Sequence, residues 1–219
     1  MIDLKPLGDR AFLARFETES QAQRWASTVR GLDLPGVIEV TLAYASSAVF
    51  VDPDTVDPAE IEQMLQSIQP GRDTTRPGPL IRLPVLYDGD DLGEVARLLN
   101  LTELEVVHQH SSVTYDVYAI GFLPGFPYAG YLPARLAGLP RLETPRLKVP
   151  AGSVAIVGKQ TGIYPGESPG GWRLIGRTPL RVVDIARANF PIRAGDRLRF
   201  EPIGKTEYQA RLGAPITRA

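Results

Sequence analysis

Guanidinium groups interleaved with aromatic rings, in a stretch crowded with Gly and Pro, are the chemically suggestive feature of this 219-residue sequence. Between Gly121 and Pro179 stand Arg135, Arg141, Arg146, Lys148, Lys159, Arg173 and Arg177 against only Glu143 and Glu167, a balance of +5 in a chain of net charge −1. Phe122, Phe126, Tyr128, Tyr131, Tyr164 and Trp172 lie among them. The same stretch holds 11 of the chain's 21 Gly and 9 of its 20 Pro. Pro removes backbone donors and fixes φ, whereas Gly admits φ > 0 and close backbone approach, so long regular elements are not expected here. Rigid loops, aromatic walls and guanidinium groups suit a small anionic ligand or a partner surface. The plainer alternative is a basic, loop-rich face of a β domain.

Other chemical signatures fall short. Gly166-Glu167-Ser168-Pro169-Gly170 matches the G-x-S-x-G nucleophile elbow. That motif takes an oxyanion-hole donor from the residue after the serine, and Pro169 has no N–H. Both histidines also precede this serine, so Ser168 is better placed as a hydrogen-bond donor in a ligand loop. Gly158-Lys159 and Gly204-Lys205-Thr206 lack the first glycine of a P-loop, with Ser153 and Arg199 standing there. His108 and His110 would share a face on a strand, but no third ligand is evident, so no metal is expected. His110 precedes the strand that delivers Gly121-Phe122. It could act there as acid, base or hydrogen-bond donor, or simply fix a loop.

The elements that must position these residues can be read in order. Ile2 to Leu7 and Ala11 to Phe16 read as strands around Gly8-Asp9-Arg10, and Ser20 can cap a helix to about Arg30. Val37 to Tyr44 and Ser47 to Val51 form a hairpin with its tip at Ala45-Ser46. Asp57-Pro58 opens a helix with the stripe Ile61, Met64, Leu65 and Ile68. Gln69 to Pro79 is a linker, and Leu80 to Leu86 a strand. Counted from the second strand, the order is β-α-β-β-α-β, that of a ferredoxin-like module. We therefore place a small α+β domain at residues 1–79, whose sheet the strand after the linker could complete. Residues 80–219 read as a second domain. Asp91 to Leu101 and a segment capped by Thr102 with Glu105 read as helices, and Thr114 to Ile120 as a strand. Leu180 to Asp184, Asp196 to Ile203 and Tyr208 to Leu212 read as closing strands, so a barrel or sandwich is expected.

Composition narrows the function classes. Net charge near zero gives no pull toward nucleic acid or membrane surface. The absence of cysteine removes disulfides and thiolate chemistry. Charges run through the first sixteen residues and no apolar run reaches transmembrane length, so a cytoplasmic location is the default.

The central stretch also resembles a known family. Gly121-Phe-Leu-Pro-Gly-Phe-Pro-Tyr128, Thr144-Pro-Arg146, Val149-Pro-Ala-Gly-Ser-Val154, Gly162-Ile-Tyr-Pro165 and Ser168-Pro-Gly-Gly-Trp172 followed by Ile175-Gly-Arg-Thr-Pro179 stand in the order and spacing of its signatures. Lys5-Pro6-Leu7-Gly8-Asp9-Arg10-Ala11 is similar to its N-terminal signature. The family is that of the 5-oxoprolinase B subunit, also called allophanate hydrolase subunit 1 or the Kip inhibitor (KipI) family. The likeness extends over nearly the whole chain. One departure is Tyr128-Ala129-Gly130-Tyr131-Leu132, where the family more often has Tyr-Leu-Gly-Gly-Leu.

The resemblance implies a cyclophilin-like β-barrel of the carboxyltransferase type over residues 80–219. It implies one component of a multisubunit enzyme, inactive alone. Its partners would be a homologous C subunit together with an A subunit, and the complex would open 5-oxo-L-proline to L-glutamate with ATP. Phosphorylation of the lactam oxygen would need cations, for which Arg146, Lys148, Arg173 and Arg177 are candidates, while Phe122, Phe126, Tyr128 and Trp172 could wall the ring. The expected catalytic groups are His110, Arg146 and Arg177. The expected ligand-binding set is Phe122, Gly125, Phe126, Tyr128, Lys148, Gln160, Tyr164, Ser168, Gly171, Trp172 and Arg173. Two alternatives come from the same family: the carboxyltransferase half of a biotin-dependent urea carboxylase, and a non-catalytic inhibitor of a sporulation-type histidine kinase. The chain has only Met1 and Met64 and no Met-Lys-Met motif, so any biotin would arrive on another protein.

Overall fold

The computed structural model describes residues 2–71 and 78–218. The chain divides into two compact units, Met1–Arg76 and Pro77–Ala219. Most of the linker expected at Gln69 to Pro79 lies outside the described residues.

In the first unit, β1 (Asp3–Pro6) and β2 (Ala11–Arg15) pair antiparallel around the Gly8 turn. Helix α1 (Glu19–Gly31) follows, then β3 (Val37–Ala43), β4 (Ser46–Val51) and α2 (Pro58–Ser67). Helix α1 is capped by Thr18 rather than Ser20. The Thr18 hydroxyl accepts from the Gln21 N–H, and the Gln21 side chain accepts from the Thr18 N–H. Thr18 has Gln21 three residues on to complete this reciprocal cap, and Ser20 lies inside the first turn. Asp57 and Pro58 open α2 as expected. Ala22, Trp25, Ala26 and Val29 form the buried stripe of α1, and the Trp25 indole N–H donates to the Ile68 carbonyl at 3.1 Å. Met64, expected inward, is exposed. The strand order is β1-β2-β4-β3, with α1 crossing from β2 to β3 over the inserted β4.

The strand after the linker does not complete that sheet. It is β5 (Leu80–Val85), and its ladder is parallel to β13 (Arg197–Pro202) in the second unit. Between them run α3 (Leu92–Leu98), α4 (Glu103–Ser111), β6 (Thr114–Ile120), β7 (Pro127–Gly130), β8 (Arg146–Val149), β9 (Ser153–Val157), β10 (Gln160–Ile163), β11 (Ser168–Gly170) and β12 (Arg173–Arg177). Strands follow one another as β5-β13-β6-β7-β10-β9-β12, all antiparallel except the first pair. Strands β8 and β11 form a separate two-stranded ladder.

The fold is thus mixed α and β with mostly antiparallel strands. The expected barrel is not closed by a continuous ladder. The ends of the path meet in one isolated bridge, where Leu86 and Arg177 exchange both backbone hydrogen bonds at 2.9 Å. Beyond Leu86 the chain leaves the ladder for α3, so pairing stops there. Alternation in β6 buries Tyr115, Val117 and Ala119. Tyr115 and Val117 join Leu83, Val95, Val106, Ile156, Ile175, Leu198 and Phe200 in the main core.

Two further expectations are corrected. Tyr208 to Leu212 is not a closing strand; α5 (Lys205–Ala210) stands there and turns Tyr208 inward. Leu180 to Asp184 forms no ladder strand, and Asp184 instead accepts from the Arg187 N–H to cap a 3-10 turn, Ile185–Arg187.

Candidate functional site

Strand β6 runs into a tight turn at the head of the Gly/Pro-rich stretch. The Phe126 N–H donates to the Leu123 carbonyl, and the Gly121 N–H to the Phe126 carbonyl, at 3.0 and 3.2 Å. Gly125 has φ +79°, which a side chain would make costly, and a Cβ there would also strike Val183. The turn throws Phe122 outward, 60% exposed, and sends Phe126 into a small second core, 1% exposed. Phe126 meets the rings of Tyr128, Tyr164 and Trp172 edge-on at centroid distances of 5.0, 5.2 and 5.4 Å. Phe122 extends the cluster at 5.5 Å from Phe126. Edge-to-face contacts of this kind fix ring orientation beyond simple burial.

These five rings line one cleft of about 200 Å³, together with Arg141, Pro145 and the Pro169–Gly171 backbone. The Leu142 N–H donates to the Gly171 carbonyl at 2.8 Å, pinning the Arg141 segment to the opposite wall. The Tyr164 phenol is held neutral above its ordinary pKa by burial, with the Trp172 backbone N–H and the Arg141 charge pulling the other way. Among the described residues Arg141 has no carboxylate partner.

The other cations are placed differently. Arg146 Nη2 donates to Asp91 Oδ1 at 2.7 Å, Arg173 Nη1 to Glu94 Oε2 at 2.7 Å, and Arg177 reaches both oxygens of Asp88 at 3.0 and 2.7 Å. Asp88, Asp91 and Glu94 recur every third residue through the entry to α3, so one short segment neutralises three arginines of β8 and β12. The Asp91 and Asp88 hydrogen bonds raise the pKa of Arg146 and Arg177 above the usual arginine value. Arg146 Nη1 is buried without a hydrogen-bond partner. Arg177 stacks 4.8 Å over the Tyr208 ring and lines a second cavity of about 400 Å³ with Asp88, Asp90 and Ser153. Lys148 pairs with Glu167 at 3.1 Å on the surface.

His110 lies fully buried on α4, and helical geometry sends exposed His108 to another side, so the two share no face. Its Nδ1 meets the Tyr87 hydroxyl at 2.7 Å and its Nε2 the Thr161 hydroxyl at 2.8 Å. The ring packs 4.5 Å from Phe200, and burial lowers its pKa to about 3. A neutral imidazole with both nitrogens engaged suits a structural hub in the core. No group of three or more metal-ligating side chains occurs among the described residues.

The structure therefore brings Phe122, Phe126, Tyr128, Tyr164, Gly171 and Trp172 to one cleft. Gly125 sets the turn behind it. His110, Arg146, Lys148, Arg173 and Arg177 do not line it, nor does Gln160, which starts β10 opposite Gly130. Ser168 lies on β11 with its hydroxyl donating to the Pro169 carbonyl at 3.1 Å, and no helix follows it as a nucleophile elbow requires. Sequence reasoning missed Arg141 as the cleft's cation and Asp88, Asp91 and Glu94 as clamps. The three-residue acid spacing was a readable signal for the clamps. Arg141 stood outside every motif.

This fold and its site define a carboxyltransferase-type domain: the model of the carboxyltransferase domain, subdomain C and D, matches residues 2–192. The chain belongs to the family of 5-oxoprolinase B subunits. It is 36% identical to the 5-oxoprolinase B subunit of Bacillus subtilis, covering 94% of this chain and 95% of that one. It is 42% identical to the Escherichia coli O157:H7 protein of that name, covering 84% and 86%. A putative urea carboxylase of Emericella nidulans is 26% identical over 58% of this chain and 11% of its own. Among solved structures, that of TTHA0988 superposes with a TM-score of 0.79 at 36% identity, covering 89% of this chain and 40% of that longer one. The Kluyveromyces lactis urea amidolyase has the same fold at a TM-score of 0.74 and 17% identity. Among the described residues no helix is long and apolar enough to cross a membrane.

Proposed function

We propose that this chain is the B subunit of a cytoplasmic ATP-dependent 5-oxoprolinase, working with a homologous C subunit together with an A subunit to convert 5-oxo-L-proline to L-glutamate. The observation that carries this reading is the end-to-end similarity to proteins named as 5-oxoprolinase B subunits, 36% identical over 95% of one such chain's length. In this reading the second unit is a cyclophilin-like barrel joined at the Leu86–Arg177 bridge.

The chemistry explains the need for ATP. A lactam carbonyl is a poor electrophile. Transfer of the γ-phosphoryl group to its oxygen, with ADP leaving, turns that oxygen into part of a leaving group. Water then adds at the ring carbon, the ring C–N bond breaks as nitrogen takes a proton to leave an acyl phosphate, and a second water hydrolyses that to the glutamate carboxylate and phosphate. Phosphoryl transfer depends mainly on positioning and on cations around the moving charge. Arg146, Arg173 and Arg177 are already occupied by carboxylates. In this reading the phosphates are held where the subunits assemble, and this chain supplies a walled site for the organic substrate.

The test is 5-oxoproline-dependent phosphate release from ATP, measured with this chain alone and with its C and A partners. Release with glutamate formation only in the full mixture is expected. No release in any mixture, with biotin-dependent carboxyl transfer to urea instead, would replace this reading with the carboxyltransferase one.

A further inference from the structure

The aromatic cleft has one feature that its aromatic walls do not explain. Arg141 and Tyr164 both line a space otherwise bounded by Phe122, Phe126, Tyr128 and Trp172, which brings a guanidinium-bearing residue and a phenol to an aromatic cleft. Four of the other cations in the Gly/Pro-rich stretch (Arg146, Lys148, Arg173 and Arg177) are paired to carboxylates within 3.1 Å. Arg141 lines the cleft with no such partner among the described residues. Its position is built. The neighbouring Leu142 N–H is bonded to the Gly171 carbonyl at 2.8 Å, and the Arg173 Nε–H points to the Pro140 carbonyl at 3.4 Å. Arg173 is itself held by Glu94, so an ion pair on one side of Trp172 steadies the segment that carries Arg141.

Tyr164 is equally prepared. It lines the cleft beside Trp172, and burial keeps its phenol protonated, so the hydroxyl is available to donate to a ligand acceptor. Gly170 leaves room for that hydroxyl. A Cβ on Gly170 would overlap Tyr164 Oη and lie 2.9 Å from two of its ring carbons. A cleft of about 200 Å³ admits a single small ring and excludes a nucleotide.

We infer that this cleft binds a small-ring carboxylate, with Arg141 anchoring the carboxylate, Tyr164 donating to a ring or carboxyl oxygen, and the aromatic walls enclosing the ring. The assignment rests on the proposed function for its choice of ring: 5-oxoproline, a five-membered lactam with one carboxylate. An arginine fork meets a carboxylate through two parallel N–H bonds, which fixes the orientation of the attached ring as well as its charge. Arg141 is thus a specificity-determining residue, and it presents the lactam edge outward to whatever partner completes the site.

The experiment has two readouts. In the reconstituted complex, Arg141→Gln should raise the KM for 5-oxoproline on the order of 10- to 100-fold, the loss expected for one charge-assisted hydrogen-bonded contact, with kcat changed far less. Arg141→Lys should recover part of it. In the full chain alone, Trp172 fluorescence should report binding of 5-oxoproline and proline, and the response should be lost in Arg141→Gln. 2-Pyrrolidone, the same lactam without the carboxylate, should bind much more weakly. A Trp172→Phe variant identifies the signal against that of Trp25.

An Arg141→Gln variant with unchanged KM in an active complex would overturn the inference while leaving the functional reading intact. So would equal affinity for 2-pyrrolidone and 5-oxoproline, or no binding of ring carboxylates to chain or complex. A complex that never turns over 5-oxoproline, in which the chain still binds ring carboxylates through Arg141, would remove the functional reading and uphold the cleft assignment.

Discussion

Asp91 and Arg146 are joined at 2.7 Å, the acid 7% and the base 25% exposed, and the same carboxylate accepts the Leu174 backbone N–H at 2.7 Å through its other oxygen. One side chain therefore ties the start of α3 to both β8 and β12. This explains why Asp91, at the N-cap position of α3, makes no side-chain cap: its oxygens are turned to tertiary partners.

Removing that acid should destabilise the second unit. Asp91→Ala leaves a partly buried guanidinium and a buried N–H unpaired, at a cost of about 3–5 kcal/mol. Denaturant unfolding followed by Trp172 fluorescence checks it. A loss below about 1 kcal/mol would show the contact to be dispensable.

Arg177 should behave differently from Arg146. Its side chain is half exposed, and its pair with Asp88 lies at the surface. Arg177→Ala should cost no more than about 1 kcal/mol of stability and lower turnover of the reconstituted complex less than tenfold. Abolished turnover in a folded variant would return Arg177 to the catalytic groups.

The buried His110 predicts an acid-side loss of stability. Its folded pKa, lowered to about 3, lies below the ordinary value of 6.5. Below pH 6.5 the unfolded chain binds a proton that the folded chain does not, so stability is present above pH 6.5 and falls as pH drops. The contribution approaches about 1.4 kcal/mol per pH unit. Unfolding free energies between pH 7 and 5, above the ordinary carboxylate range, should show this slope. His110→Gln should flatten it, and an unchanged slope in that variant would place the effect elsewhere.

Gly170→Ala should close the cleft without touching any charge. The added methyl overlaps Tyr164 Oη, and pushing the ring aside costs about 1–3 kcal/mol. Binding of 5-oxoproline to the chain, by fluorescence or calorimetry, should fall at least tenfold, whereas Gly31→Ala, with open space at its Cβ position, should leave binding unchanged.

Local signals were legible where the chemistry was local. Thr102 with Glu105 and Asp57 with Pro58 marked helix starts that formed as read, because a cap needs only neighbours three or four residues away. Alternation located β6, and five of the aromatic residues singled out in the Gly/Pro-rich stretch, Phe122, Phe126, Tyr128, Tyr164 and Trp172, line one cleft. The same local logic erred at Tyr208, where one inward aromatic fits a strand or a helix equally.

The sequence by itself determined the aromatic lining, the excess of positive charge and the family. Tertiary structure alone decided which cation faces the cleft. Asp88, Asp91 and Glu94 lie some 50 to 90 positions from the arginines they neutralise, and no local pattern encodes pairing over that distance. The parallel pairing of β5 with β13 rests on contacts more than a hundred residues apart. Both follow from chain folding, in which charges and strand edges are satisfied by whatever the core brings beside them.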